Sequence, residues 1–398
     1  MKSVLLVAAL FVLSLITYID RAAISSVKGP LAADLSLSDQ SIGAVFGAFA
    51  LGYALAQAPS GWLADRFGPR LALTVVVTVW SLFTALTGAV RSLRVLLAVR
   101  FLFGVAEAGA FPGAARAFFN WLPPSRHGLA NGVIFSGSRL GAAFAFPLMA
   151  WLLEGSSWRT AFYLLAIPGL AWAAAWYLWF RDHPSQPPPA EPRPAAIEVP
   201  YARLVATPAM LLAMLQYFAS NFTNFINLSW MHPYLVDRYN LTVSEAAGYA
   251  MVPLLVGATA QWAAGFLVDN LYRSRHRAWS RRLPAAGGFL VAAVALSAVS
   301  SMPTPAATVA CFAVATFGAE LTISPSWAYC MDIGGSRSGA VSGTMNMAGN
   351  LASFVSANAF PFLSRLTGSS AAYFLAAAML NFIGMLCWLR MRSPEATR

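Results

Sequence analysis

The stretch GWLADRFGPR, residues 61–70, decides the fold of this chain. It follows an apolar run long enough to cross a membrane and ends that run with glycine and charged residues. A related stretch, GFLVDNLYR at residues 265–273, ends another apolar run in the second half of the chain. Parallel repeats of this kind are typical of transporters whose binding site lies between two halves near the bilayer midplane. The pair therefore predicts a membrane protein built of two similar halves.

The composition excludes an ordinary soluble protein. Of the 398 residues, 58% are hydrophobic and only 10% are charged, whereas a soluble domain carries about a quarter charged residues. The net charge of +11 predicts no nucleic-acid partner, because basic residues in membrane proteins concentrate in cytoplasmic loops. The three cysteines lie in apolar runs without metal-ligand spacing, so we expect no metal site and no cofactor.

Twelve apolar runs are long enough to span a bilayer, which takes about 20 residues. They lie near 3–24, 41–63, 71–90, 95–118, 128–152, 159–180, 209–231, 246–269, 284–301, 306–331, 338–362 and 370–390. The proline-rich stretch 181–208 has the composition of an extended linker. We therefore predict an all-α membrane protein with twelve transmembrane helices in two pseudo-symmetric six-helix halves, 1–180 and 209–398, joined by this linker.

The distribution of arginine and lysine predicts the orientation. The side that holds both termini, the linker and the even-to-odd connections carries most of them, including the cluster YRSRHRAWSRR at 272–282. The opposite side carries only Lys28, Arg91, Arg94, Arg159, Arg238 and Arg365. By the positive-inside rule, both termini are expected in the cytoplasm. The cluster is then most simply a topology anchor that can contact anionic lipid.

GWLADRFGPR resembles the loop signature of the major facilitator superfamily, and it follows the second span, as it does in that family. The resemblance implies a conformational role for Asp65, Arg66, Arg70 and, in the second copy, Asp269. A carboxylate there can bind cations or a neighbouring helix terminus in one state and release them in another. The second copy has Asn270 where the first has Arg66, so we expect a weaker interaction there.

Within the superfamily, the chain is similar to the anion:cation symporter family, which includes bacterial sugar-acid and aromatic-acid permeases. The stretches that carry this resemblance are YIDRAAIS, GYALAQAPSGWLADRFGPR, RFLFGVAEAGAFPG, SGSRLG and VSGTMNMAGNLASF. The fifth span lacks the Gly-Pro pair typical of drug-extruding proton antiporters. The resemblance therefore favours an importer of small organic anions.

Six ionisable residues lie well inside the predicted spans. They are Asp20, Arg21, Arg100, Glu107, Arg139 and Glu320. Such groups are rare in hydrocarbon and normally face a bundle interior or an aqueous cavity. All three cations are arginine, whose planar guanidinium binds a carboxylate through two hydrogen bonds. The pattern indicates a binding site for an anion, although helix one could also simply reach water at Asp20.

The resemblance implies roles for several of these residues. In the similar family, arginines of the first and fourth spans recognise the anion and acidic residues carry protons. Carried over by match, Arg21 and Arg100 bind the substrate, and Asp20 and Glu107 couple it to protons. Tyr18 and Tyr53 would line the pocket. Since adjacent helix residues point in different directions, we expect Asp20 and Arg21 to contact different neighbours.

Other candidates leave alternatives open. Arg139 would either add a second contact to the anion or form a fixed pair with Glu107, and Ser138 is a polar candidate beside it. Glu320 repeats Glu107 in the second half, as a second proton site or as a protonated packing residue. Asn346 and Asn350, four residues apart on one helix face, suit recognition of hydroxyl or carboxylate groups, although polar residues also join membrane helices.

These observations predict a secondary active transporter in the bacterial inner membrane that imports a small organic anion with protons by alternating access. The alternative is an exchanger or facilitator of the same fold without net proton coupling. The four histidines lie in loops or at a span edge, and no HExxH or GxSxG pattern is present, so we expect no enzyme activity. We expect a functional monomer.

Overall fold

The computed structural model describes residues 2–184 and 200–391, and its regular structure in these ranges is entirely helical. Part of the predicted linker, 185–199, and the end of the chain, 392–398, lie outside the described residues. The helices are α1 (Lys2–Ser26), α2 (Lys28–Leu35), α3 (Asp39–Ala89), α4 (Leu93–Glu107), α5 (Ala110–Trp121), α6 (His127–Gly155), α7 (Trp158–Trp179), α8 (Tyr201–Leu204), α9 (Pro208–Ser229), α10 (Met231–Tyr239), α11 (Val243–Arg273), α12 (Arg282–Ala298), α13 (Pro305–Leu321), α14 (Ile323–Gly334), α15 (Ser338–Thr367) and α16 (Ala371–Arg390).

Some of these helices contain two membrane spans and some contain half of one. α3 has 51 residues, about 75 Å at 1.5 Å per residue, which is more than twice the roughly 30 Å of hydrocarbon in a bilayer. Gly68 interrupts it with a φ of 80°, so α3 holds the second and third spans. α4 and α5 together form the fourth span, and α13 and α14 form the tenth. With these assignments, the prediction of twelve spans is confirmed.

The fourth and tenth spans break directly after an acidic residue. α4 ends at Glu107, and Pro112 follows at the start of α5; α13 ends one residue after Glu320, and Pro325 follows in α14. Proline has no N–H to give to the carbonyl four residues before it, so one hydrogen bond of the ladder is missing at each of these positions. Both acids therefore lie at or next to the end of a helix within a predicted span.

The chain divides into two compact units. The first contains described residues within 1–123, 137–190 and 336–347, and the second contains those within 124–136, 191–335 and 348–398. Each unit thus takes most of one sequence half and a short segment of the other. The exchanged segments include the first turns of α6 and α15, which bear on the site described below.

Each unit has its own apolar core. In the first unit, α1, α3, α4 and α7 contribute buried side chains such as Ile24, Val45 and Phe162. In the second, α9, α13 and α16 contribute Phe222, Phe312 and Phe374. Many large apolar side chains elsewhere are exposed, as expected for helices that face lipid. Asp20, Arg100, Glu107 and Glu320 are buried within these units.

Candidate functional site

Arg21 and Glu107 form a buried ion pair in the first unit. Arg21 on α1 donates from its Nε to both carboxylate oxygens of Glu107, at 3.0 Å to Oε1 and 3.1 Å to Oε2. Glu107 is fully buried, and the Arg21 side chain is 17% exposed. The sequence left open a fixed pair between Glu107 and Arg139, and in the structure it is Arg21 that forms the ion pair with Glu107.

Aromatic rings surround the guanidinium of Arg21. Its Cζ lies 4.2 Å from the ring centre of Tyr53, 4.8 Å from that of Tyr18 and 5.4 Å from that of Phe49. Tyr18 lies one helical turn before Arg21, and Phe49 and Tyr53 lie one turn apart on α3. A cation over aromatic faces is stabilised by the ring quadrupole. The two predicted tyrosines therefore contact Arg21 and help to hold its guanidinium in position.

Asp20 points away from Arg21, as the sequence predicts for adjacent helix residues. Its Oδ2 accepts hydrogen bonds from Trp80 Nε1 at 3.1 Å and from Thr84 Oγ1 at 3.3 Å. Asp20 is 1% exposed, and its Oδ1 has no hydrogen-bond partner among the described residues. The carboxyl group is thus inside the helix bundle and half of its hydrogen-bonding capacity is unused.

Arg100 is the most unusual group of the site. It is 1% exposed, and its guanidinium lies 4.5 Å from the ring centre of Phe103 and 5.2 Å from that of Phe49. Within the described part of the chain, its Nε has no hydrogen-bond partner and no carboxylate lies at ion-pair distance. A buried cation without a hydrogen-bonding partner is costly, and Arg100 stays a candidate for anion binding, as the sequence predicts.

The second unit contains a different buried acid. Glu320, 2% exposed, accepts a hydrogen bond from the side-chain amide of Gln261, which is fully buried. The Oε1 of Gln261 has no partner within the described ranges. Gln261 precedes Asp269 by eight residues, and Gln57 precedes Asp65 by the same number, so the two glutamines occupy equivalent positions of the repeat.

Gln57 makes a different contact from its counterpart. Its Oε1 accepts a hydrogen bond of 2.9 Å from Asn346 Nδ2 in the first unit. The amide of Asn346 is thus bound to a protein group. The other predicted polar residues lie on α6 and α15: Ser138 is buried, whereas Arg139 and Asn350 are partly exposed.

The first unit contains what we call the first clasp, formed by Gly61, Asp65, Gly339 and Ala340. Asp65 accepts backbone hydrogen bonds from Gly339 at 2.9 Å and from Ala340 at 2.7 Å, at the N-terminus of α15. A carboxylate is favourable there because it satisfies free N–H groups and meets the positive end of the helix dipole. Arg116 lies 3.8 Å from the same carboxylate.

The second unit contains an equivalent second clasp, formed by Gly265, Asp269, Gly128 and Leu129. Asp269 accepts backbone hydrogen bonds from Gly128 at 2.9 Å and from Leu129 at 3.0 Å, at the N-terminus of α6. The replacement of arginine by Asn270 therefore does not reduce the number of these bonds.

The two predicted arginines near the first clasp do not contact Asp65 by any hydrogen bond that the described residues form. The Arg66 guanidinium lies over the rings of Trp62 and Phe67. Arg70 donates from its side chain to the carbonyl oxygen of Tyr177, at 2.9 and 2.7 Å. Arg66 thus packs on its own helix, and Arg70 connects α3 to α7.

Close glycine contacts make the first clasp sensitive to one added methyl group. A Cβ on Gly61 would collide with the carbonyl oxygen of Gly339, whereas a Cβ on Gly47, also in α3, would meet no atom within 4 Å. We expect Gly61→Ala to destabilise this contact by about 1–3 kcal/mol and to slow transport by at least fivefold. Proteoliposome uptake rates would measure this.

Gly47→Ala is the matched control and is expected to transport at the wild-type rate. Equal rates for both variants would mean that the first clasp does not contribute to the transport cycle.

Sequence reasoning missed several contact residues. Trp80, Thr84 and Phe49 carry no motif, and their roles follow only from packing. The glutamines were detectable, because aligning the repeats at Asp65 and Asp269 brings Gln57 and Gln261 to the same position.

The chain matches the family model of the Major Facilitator Superfamily over residues 10–357. It is 32% identical to the probable sulfoacetate transporter SauU of Cupriavidus necator. This match covers 94% of this chain and 90% of the relative. It is 29% identical to the hexuronate transporter of Bacillus subtilis, over 97% of this chain and 93% of the relative.

Solved structures agree on the fold. The proton:xylose symporter XylE superposes with a TM-score of 0.76 at 12% identity, covering 98% of both chains. The human organic anion transporter MFSD10 superposes with a TM-score of 0.74 at 16% identity, covering 96% of this chain and 98% of that one. The relatives are transporters and not enzymes, as predicted, and the chain belongs to the Major Facilitator Superfamily.

Proposed function

We propose that the protein is a proton-coupled symporter that imports a small organic anion by alternating access. The observation that carries this proposal is the environment of Arg100, a buried guanidinium between aromatic rings without a hydrogen-bond or ion-pair partner among the described residues. A buried cation needs a counter-charge with good hydrogen-bond geometry. A carboxylate of the substrate supplies both, because it matches the planar fork of arginine.

The named substrates of the relatives support an organic anion. One relative is a probable sulfoacetate transporter and another is a hexuronate transporter, and both substrates carry an acidic group on a small organic body. A sugar acid or an aromatic acid fits the same chemistry. Tyr18 and Tyr53 would add hydroxyl groups and ring faces beside the arginines. Ser138, Arg139, Asn346 and Asn350 are further candidates for contact with the substrate.

The balance of buried charges couples substrate binding to proton uptake. Arg21 and Arg100 carry two positive charges, and ionised Asp20 and Glu107 carry two negative charges, so the buried group is neutral. An entering anion adds negative charge in a medium of low dielectric constant, where net charge is expensive. At least one carboxyl group must then take a proton, and the substrate and the proton cross together.

Glu107 is the better proton acceptor of the two acids. Its only described ionic partner is Arg21, which contacts both of its oxygens. A substrate that binds the Nε–H of Arg21 competes with Glu107 for that group. A buried carboxylate that loses its counter-charge favours the neutral form, so substrate binding promotes protonation of Glu107. Asp20, with one oxygen unpartnered within the described residues, serves as a second proton site.

The two clasps supply the conformational step. Asp65 and Asp269 each bind the first N–H groups of a helix, and such contacts can form in one state and separate in another. Alternating access requires that they break once per cycle. Arg66 and Arg70 would keep the Asp65 loop in position while this occurs.

Uptake into proteoliposomes tests the proposal. We expect an inward proton gradient to drive accumulation of D-glucuronate or sulfoacetate above equilibrium, with the membrane voltage clamped by potassium and valinomycin. Uptake that ignores the imposed gradient would exclude symport.

One observation favours a second candidate, an anion exchanger or facilitator. The Nε–H of Arg21 already donates to both oxygens of Glu107, and as a permanent pair the two residues would set selectivity without moving protons. In that case labelled substrate would exchange at the same rate at all pH values between 5.5 and 8, and no accumulation would follow a proton gradient.

Glu320 is proposed as a further proton site because Gln261 holds it in the second unit. Replacing Glu320 by glutamine removes the ionisable group and keeps its size. We expect transport to continue with one proton fewer per substrate, as measured by substrate-dependent acidification in a pH-sensitive dye assay. An unchanged proton-to-substrate ratio would assign Glu320 to helix packing instead.

The proposed location is the bacterial inner membrane, with both termini in the cytoplasm and a monomer as the functional form. A reporter fused to each terminus would test the orientation, since alkaline phosphatase is active only outside the cytoplasm.

A further inference from the structure

The connection between α11 and α12 is strongly basic. Residues 272–282, YRSRHRAWSRR, contain five arginines and no acidic residue. The transport cycle proposed above assigns no role to this segment. Some of its arginines bind other groups of the protein. Others are exposed and available to bind another molecule.

Three of these arginines serve the second unit itself. Arg281 is buried and donates to Asp332 at 3.0 Å and to the carbonyl oxygen of Pro124 at 2.9 Å. Arg277 lies over the ring of Tyr272 and bonds its hydroxyl. Arg273 reaches the carbonyl oxygen of Ser125 at 3.3 Å. These groups connect the segment to its surroundings.

Arg275 and His276 have a different environment. Both are exposed, and neither side chain has a hydrogen-bond or ion-pair partner in the described part of the chain. The residues that follow in the chain include large exposed apolar groups, since Trp279 is 40% exposed and Leu283 is 47% exposed. Exposed cations beside exposed aromatic and aliphatic groups are characteristic of the boundary between lipid headgroups and hydrocarbon.

Arg282 connects this surface to the end of α16. Its guanidinium lies 4.1 Å from the ring centre of Trp279, and it donates to the carbonyl oxygens of Trp388 and Leu389. The last residue of α16, Arg390, is exposed, and Leu389 is 43% exposed. The arginines therefore lie at the ends of two neighbouring membrane helices, next to side chains that face outward.

We infer that this surface, the basic rim formed by Arg275, Trp279, Arg282 and Arg390, binds an anionic phospholipid. The phosphate would accept hydrogen bonds from the arginines, as phosphates do from guanidinium groups. The acyl chains would lie along the exposed leucines of α12 and α16. Anionic lipids attract basic residues next to membrane helices.

The apolar half of the rim argues for a lipid rather than a soluble phosphate. A free phosphate would use the arginines alone and would leave Trp279 and Leu283 without a role. A phospholipid matches both parts, because its headgroup is anionic and its chains are apolar. The occupant is thus identified by charge and by apolar surface together.

Native mass spectrometry of the purified full-length protein in a neutral detergent tests this inference. We expect dioleoyl phosphatidylglycerol to bind, and dioleoyl phosphatidylcholine to bind at least tenfold more weakly. The double variant Arg275→Gln/Arg390→Gln should weaken phosphatidylglycerol binding by about fivefold for each arginine removed. Both side chains are exposed, so the variant is expected to fold. Arg282 is not replaced, because it bonds the carbonyls that end α16.

A charge-matched control separates the rim from overall charge. Arg91→Gln/Arg94→Gln removes two exposed arginines near the start of α4 and should leave phosphatidylglycerol binding unchanged. Equal binding of both phospholipids by the wild type, or equal losses in the two double variants, would overturn the inference. Competition by millimolar inorganic phosphate that removes the lipid completely would also overturn it, since the apolar contacts would then contribute nothing.

Discussion

Replacing Arg100 by glutamine is expected to abolish substrate binding and transport. The variant keeps a polar side chain, which is shorter than arginine, and loses the charge and the fork of N–H groups. Losing one partner of a buried, hydrogen-bonded charge pair costs about 2–5 kcal/mol, so we expect affinity to fall by roughly a hundredfold or more. Isothermal titration of the purified protein with D-glucuronate or sulfoacetate would measure the loss.

The same helix provides the control for this experiment. Arg94 is exposed at the start of α4, and Arg94→Gln should bind substrate with wild-type affinity. Arg100→Lys tests the geometry, because lysine keeps the charge without the planar fork; we expect it to restore only part of the binding. Wild-type affinity in Arg100→Gln would mean that Arg100 does not bind the substrate.

Replacing Glu107 by glutamine is expected to separate substrate movement from proton movement. Glutamine has the size of a protonated glutamate and can still accept a hydrogen bond from Arg21, but it cannot release a proton. We therefore expect exchange of labelled substrate across the membrane to continue while accumulation driven by a proton gradient stops. Counterflow and gradient-driven uptake, measured on the same proteoliposomes, give the two rates.

Glu154→Gln is the matched control, because Glu154 is an exposed acid near the end of α6. It should accumulate substrate normally. If Glu107→Gln also accumulated substrate against its gradient, Glu107 would have no role in coupling. If it lost exchange as well, its contact with Arg21 would be required for binding rather than for proton transfer.

The sequence predicted the elements of the site better than the contacts within it. Helix geometry was sufficient to separate Asp20 from Arg21, because adjacent residues point in directions about 100° apart. It was not sufficient to choose a partner for Glu107. Arg139 was open as a partner on sequence grounds, but the position of a residue along a helix does not define which neighbouring helix it meets. That choice depends on helix rotation, which follows from packing across the whole unit.

The clasps illustrate the same limit. The repeat predicted that Asp65 and Asp269 are equivalent, and their hydrogen bonds are of the same kind. The helices that they contact could not be identified from the repeat alone. The contacts depend on glycine pairs such as Gly61 and Gly339, whose significance appears only when two backbones approach closely.

The exchange of short segments between the two units has a consequence for dissecting the protein. The first unit includes 336–347 and the second includes 124–136, so a cut in the linker would leave each fragment without a segment that belongs to its unit. A fragment produced alone would retain a buried aspartate whose helix end is missing, and it should aggregate or be degraded. Co-expression of the two fragments should stabilise both, because each fragment supplies the segment that the other unit lacks.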